Sequence, residues 1–147
     1  DVLTGTQLTE ERPFLPMNCD QITVIPDGSD CDEFLGWAMP RLGDFSQSRT
    51  YLSWLMPRKR YTLDARLKGG KRAMIMSHEL QSVFPLDIYA EYLLKAIIAF
   101  DIDKMEELGI YEVAPEDFAL CEFVDTSKME LQRIVRQGLD LLYKEMN

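Results

Sequence analysis

Pro13, Pro16, Pro26, Pro40 and Pro57 divide the first sixty residues into short pieces, whereas after them only Pro85 and Pro115 follow. Each proline fixes its own φ and removes a backbone donor, so no long regular element fits before Tyr61. Short strands and turns do fit. Gln21-Ile-Thr-Val-Ile25 is rich in β-branched residues and ends at Pro26-Asp-Gly28, and Phe34-Leu-Gly-Trp37 is placed to return beside it as a hairpin. A second hairpin is expected where residues 61–67 meet 73–76 across Lys68-Gly-Gly-Lys71. Between them, residues 46–55 have the pattern of a short helix with Tyr51, Leu52 and Leu55 on one face.

From Ser77 onward the pattern changes to a helical one. Asp87 is positioned to cap a helix reaching Phe100, apolar nearly all round through Ile88, Tyr92, Leu94, Ile97 and Ile98. Asp103 with Glu106 opens a shorter helix that Gly109 stops. Pro115 starts another, expected to turn Phe118, Leu120, Cys121, Phe123 and Val124 inward. Ser127 with Glu130 has the form of a capping box before a last helix striped by Leu131, Ile134, Val135, Leu139, Leu141 and Leu142. The expected fold class is α+β, with a β-rich region over 1–76 and a helical domain over 77–147.

Charge divides the chain at the same place. The net charge is −9; residues 1–74 hold ten basic and ten acidic residues, and 75–147 hold six against fifteen. The acidic half reads as a solvated helical surface or a docking face for a basic partner. Within the first half, Arg58, Lys59, Arg60, Arg66, Lys68, Lys71 and Arg72 crowd into fifteen residues. That knot is electrostatically suited to anionic lipid or to an acidic subunit. Nucleic acid is the poorest fit, because the protein as a whole repels phosphate and no stacking platform accompanies the cations beyond Tyr61. The longest apolar run, Ile88 to Phe100, is broken by Glu91 and Lys95, so no transmembrane helix is expected. The start at Asp1, without a charged n-region and apolar core, shows no signal peptide and reads as that of a fragment.

Cys19, Cys31 and Cys121 are odd in number and lack C-x-x-C spacing, which suits free thiols in a reducing compartment; a Cys19–Cys31 pair would need a hairpin. With His78 the only histidine, no zinc set is spaced for ligation. His78 and Glu79 are adjacent and do not face each other on a helix, and Glu116-Asp117 fit a helix N-terminus without any reaction. Asp101, Asp103, Glu106 and Glu107 resemble the start of a calcium loop but lack its glycine and closing glutamate. Gly69-Gly70 between lysines suggests a phosphate cradle without P-loop spacing. Trp37, Tyr51 and Trp54 have the flat apolar faces that a quinone ring needs, though a small core uses the same residues. The residues alone therefore give no catalytic constellation and no metal site; binding is the expected activity.

Phe118-Ala-Leu-Cys-Glu-Phe-Val124 carries one cysteine where an iron-sulphur segment has several, and Asp125 stands near where another would fall. Together with Phe84-Pro-Leu-Asp-Ile88, Glu33-Phe-Leu-Gly-Trp37, Phe45-Ser-Gln-Ser-Arg49 and Leu67-Lys-Gly-Gly-Lys-Arg-Ala-Met74, this segment resembles the A-subunit family of the sodium-translocating NADH:quinone reductases, the NqrA family. The family usually continues Val-Cys-Pro-Gly-Lys where this chain has Val124-Asp-Thr-Ser-Lys128, so the second cysteine is dispensable. The resemblance implies the C-terminal part of a cytoplasmic subunit held on the inner face of the membrane by partner subunits. The complex would move electrons from NADH to ubiquinone and export sodium, with flavins and an iron centre on other subunits and none in this chain. It further implies that 1–76 includes the tail of a soluble-ligand-binding β-grasp-like domain. The family is similar to the C subunit of the Rnf complex, so 77–147 reads as a ferredoxin-type module without clusters, with Cys121 as a remnant. Three roles follow: assembly and docking, part of a quinone site, or, if the resemblance fails, an unrelated acidic interaction domain.

Overall fold

The computed structural model describes residues 2–28 and 35–146, and of Trp37 the backbone alone. Five α-helices occupy the second half: α1 (Glu79–Val83), α2 (Ala90–Ala99), α3 (Ile102–Glu107), α4 (Ala119–Val124) and α5 (Leu131–Glu145). Short 3-10 turns at Ile110–Glu112 and Pro115–Phe118 connect α3 to α4. Helix α2 is the centre of the bundle. Its Ala90, Leu93, Leu94, Ala96 and Ile97 are buried, and around them close Leu80, Phe84, Met105, Ile110, Phe118, Cys121, Leu131, Val135 and Leu142. The Phe84 and Phe118 rings meet at 4.7 Å, tying α1 to the turn before α4. Helix α5 approaches α2 closely at Gly138, where an added Cβ would lie 3.0 Å from Ile97 Cγ2.

The helix ends differ in detail from the sequence expectation. Helix α2 begins at Ala90, whose N–H donates to the Gln81 side-chain oxygen at 3.1 Å, and Asp87 lies ahead of it. Asp101, just ahead of the expected Asp103, caps α3 by accepting the Lys104 N–H at 3.2 Å. Gly109 follows α3 at φ +84, a conformation glycine takes without a Cβ penalty. Ser127 and Glu130 form no capping box: the Ser127 hydroxyl has no partner among the described residues. Asp125 instead accepts the N–H groups of Ser127 and Met129 at 3.0 and 2.9 Å, and Glu122 of α4 accepts that of Gln132 at 2.9 Å. Phe118 and Cys121 face inward as expected, whereas Leu120 and Phe123 are exposed.

The expected β-rich first part is not present. Among the described residues there is no strand, only an isolated bridge between Thr9 and Arg12, so the α+β assignment is wrong and the ordered architecture is helical. Gln21–Ile25 is open backbone with Ile22 and Val24 on the surface; its expected partner includes Phe34, outside the described residues. The second hairpin fails for a visible reason. Gly69, at φ +137, leads to Lys71, whose ammonium meets Glu130 at 2.8 Å, and to Arg72, whose N–H donates to Ser127 O at 2.8 Å. The chain leaving the glycines thus attaches to the helical part and does not fold back on 61–67. The expected helix over 46–55 shrinks to a 3-10 turn, Leu52–Leu55, with Tyr51 buried and Leu52 and Leu55 exposed.

Candidate functional site

Cys121 lies inside the helical core, fully buried, with its thiol 3.5 Å from the Leu80 carbonyl oxygen. Burial, and then the negative charges of Asp125 and Glu91, push the thiol up to about 12. Only the thiolate is a nucleophile or a ligand, so a thiol held this way packs as a small apolar group. Asp125, where the iron-sulphur pattern places a further ligand, is buried and spends both oxygens on the turn before α5. Cys19 is exposed and donates to Gln21 O at 3.2 Å, while Cys31 lies outside the described residues, as does any pairing of the two. Among the described residues, no three His, Cys, Asp or Glu side chains are grouped to hold a metal ion.

Of the quinone candidates, the structure describes the side chains of Tyr51 and Trp54. Tyr51 is buried and its hydroxyl donates to Gly36 O at 3.0 Å, while the Trp37 side chain lies outside the described set. Trp54, 48% exposed, lines a cleft of about 390 Å³ with Phe45, Ser46, Gln47, Arg49, Ser53 and Tyr61, and Tyr51 does not reach it. Phe45 stands edge-on to Tyr61 at 5.8 Å and stacks on Phe123 of α4 at 5.7 Å; the Arg49 guanidinium lies 5.9 Å from the centre of the Trp54 ring. Sequence reasoning does not single out Phe45, Arg49 and Tyr61 for this role, although Phe45 and Arg49 bound one of the motifs that carry the family resemblance. The lining combines the aromatic rings of Phe45, Trp54 and Tyr61 with the hydroxyl, amide and guanidinium groups of Ser46, Gln47 and Arg49.

The charged residues sort into engaged and outward groups. Lys68 meets Asp44 at 2.7 Å and Asp64 at 3.4 Å, Arg66 meets Asp64 at 2.7 Å, and Arg72 donates to Thr126 O at 3.0 Å. Burial raises the Asp44 carboxyl, but hydrogen bonds and charge from Lys68 and Arg41 outweigh it and hold the group below its usual range. With Lys68 and Lys71 both occupied by carboxylates, Gly69-Gly70 offers no phosphate cradle. Lys59 turns in to Leu42 O, and Arg58 and Arg60 point outward. Asp117 accepts the Ala114 N–H at 2.8 Å, Asp101 pairs with Lys104 at 2.8 Å, and Glu106 accepts the Tyr111 hydroxyl at 2.6 Å, so these acids serve local structure. His78 is exposed at φ +59 just before α1. No helix among the described residues is long and apolar enough to cross a membrane.

No protein-family model matches the chain. Curated relatives do. The chain is 37% identical over 144 residues to the A subunit of the Na(+)-translocating NADH-quinone reductase of Rhodopirellula baltica, covering 98% of this chain and 31% of that protein. It is 37% identical to the protein of the same name in Vibrio atlanticus and 38% identical to that in Haemophilus influenzae, in each case over 98% of this chain and 32% of the relative. The chain spans about a third of the length of these relatives, and the alternative of an unrelated acidic domain is set aside. On that similarity the chain belongs to the family of Na(+)-translocating NADH-quinone reductase A subunits.

Proposed function

We propose that this chain works as an assembly and docking part of the A subunit in a sodium-translocating NADH:quinone reductase, on the cytoplasmic face, and has no redox centre of its own. The observation that carries this reading is the way the helical part closes on itself. The one cysteine of the cluster-like segment is consumed in packing, with its thiol raised to about 12, while the acids of 101–117 lie at or near the surface. Such a unit offers surface rather than interior chemistry, and a surface of that charge favours a basic partner. In this reading the domain boundary falls near Ser77, the unit 77–147 is a ferredoxin-type module without clusters, and NADH, flavins, iron and ubiquinone are handled elsewhere in the complex.

Deleting 77–147 from the full-length protein tests the proposal. Loss of both co-purification with the other subunits and sodium-dependent NADH:quinone activity is expected; full activity without these helices overturns it. Iron in stoichiometric amount in anaerobically purified protein overturns the claim that the module is empty.

A second reading rests on the Trp54 cleft, where Phe45, Trp54 and Tyr61 would face a quinone ring and Gln47 or Arg49 would donate to its oxygen. Saturable quenching of Trp54 emission by a short-chain quinone, lost in Trp54→Phe, supports it. Retained assembly with lost quinone reduction in a Phe45→Ala, Trp54→Ala variant favours it over docking.

A further inference from the structure

The stretch 45–63 contains no Asp or Glu, in a chain with 25 of them, and carries Arg49, Arg58, Lys59 and Arg60. It also contains a run of exposed large apolar side chains: Leu52 45%, Trp54 48%, Leu55 59% and Met56 46%. The backbone holds the two sets together. Met56 N–H donates to Ser53 O and Lys59 N–H to Met56 O, each at 3.0 Å, so two successive tight turns join the apolar tip to the cations. The turn is anchored from below, with Tyr51 hydrogen-bonded to Gly36 O and Ser53 to Asp44 O at 2.5 Å, both buried. Lys59 is drawn inward to Leu42 O, whereas Arg58 and Arg60 on either side of it are exposed and have no ion pair or hydrogen bond among the described residues. The Arg49 guanidinium lies over the Trp54 ring.

We propose that this turn is a contact site for an anionic membrane surface, with Leu55 and Met56 entering the headgroup layer beside Trp54 and with Arg58 and Arg60 on lipid phosphates. An acidic protein surface would satisfy the arginines equally well. The Trp-Leu-Met tip decides between them: an aromatic and two flexible aliphatic side chains, half-exposed and set next to exposed cations, match the depth profile of the bilayer interface. The surface of an anionic leaflet supplies the opposite charge that Arg58 and Arg60 do not meet among the described residues. A contact of this size is weak and reversible, and it adds a direct lipid attachment to whatever holds the protein through its partners.

The test uses the complete polypeptide and vesicles of phosphatidylcholine, with or without one third phosphatidylglycerol. Co-sedimentation with the anionic vesicles alone, lost at high salt, is expected. Arg58→Gln with Arg60→Gln lowers the partition coefficient about twenty-five-fold, the product of roughly fivefold for each cation. Leu55→Ser with Met56→Ser weakens binding without moving the circular dichroism spectrum. Equal binding by these variants, or none by the parent protein, overturns the proposal. If the arginine pair instead releases another subunit of the complex and vesicles play no part, the turn belongs to an acidic protein surface. Protection of Trp54 from N-bromosuccinimide in the lipid-free protein also overturns the proposal, since the rest of the polypeptide would then cover the tip.

Discussion

Tyr51 is the one buried apolar side chain described before Leu80, while sixteen are buried between Leu80 and Leu142. Yet the earlier stretch is not short of such residues: Phe14, Met17 and Val24 are 85%, 95% and 88% exposed. The difference lies in where each region finds partners. A helix satisfies its backbone locally and presents one face every 3.6 residues, so five helices with short connections assemble a core from near neighbours. Extended chain must find its partner at a distance, and an apolar pattern does not say where that partner is.

The cysteines give the widest contrast between the regions. Cys121 is fully buried with its thiol at about 12, and Cys19 is exposed. Iodoacetamide at pH 8, read by mass spectrometry of the labelled peptides, should modify Cys19 at least about a thousand-fold faster than Cys121, because only thiolate reacts and burial adds protection. Comparable rates would mean that the helical core opens as readily as the first part.

Core deletion comes next. Leu93→Ala removes a fully buried side chain from the centre of α2 and should cost about 2–5 kcal/mol in denaturant unfolding followed at 222 nm. Val24→Ala in the other region should stay within about 0.5 kcal/mol. If the two cost the same, the first part has a core of its own and the contrast fails.

Much of the helical region is legible in the sequence, and the reasons are local. Gly109 ends α3, Pro115 opens the turn before α4, and Leu131, Val135 and Leu142 line the inner face of α5 as their spacing requires. Caps are misplaced where a side chain from another element competes, as Gln81 does at Ala90 and Glu122 at Gln132. The second hairpin misleads because the Lys68–Lys71 turn looks the same whether the chain folds back or moves on to Glu130 and Ser127. The cleft is half visible: Trp54 stands out for its ring, but Phe45 and Tyr61 come together beside Phe123 of α4, a contact across 78 residues that no spacing reveals.

A tight helix crossing sharpens the comparison further. Gly138 leaves room for Ile97 at a distance where even a methyl forces the neighbour to shift by tenths of an ångström. Gly138→Val adds two further carbons there and should cost about 1–3 kcal/mol through overpacking, against the propensity gained on leaving glycine. Gly43, with nothing within 4 Å of the same added atom, should accept Ala with little change. A stabilised Gly138→Val would show that α5 is free to slide on α2.

The smallest effect concerns charge at the join between α1, α2 and the turn after α4. Partial burial raises the Glu79 carboxyl, and the negative charges of Asp125 and Glu91 raise it further. The folded protein therefore binds the Glu79 proton more tightly than the unfolded chain does, so stability is lost as pH rises from about 4.5, the unperturbed value, through the raised folded value. Below that window the penalty is absent. Glu79→Gln removes one of three neighbouring acids and should gain less than about 1 kcal/mol at pH 7, the limit that solvent screening sets on a half-exposed group. The gain should vanish near pH 4, and unfolding midpoints of both proteins across that range measure it. An unchanged slope in Glu79→Gln would make the join indifferent to the residue that begins α1.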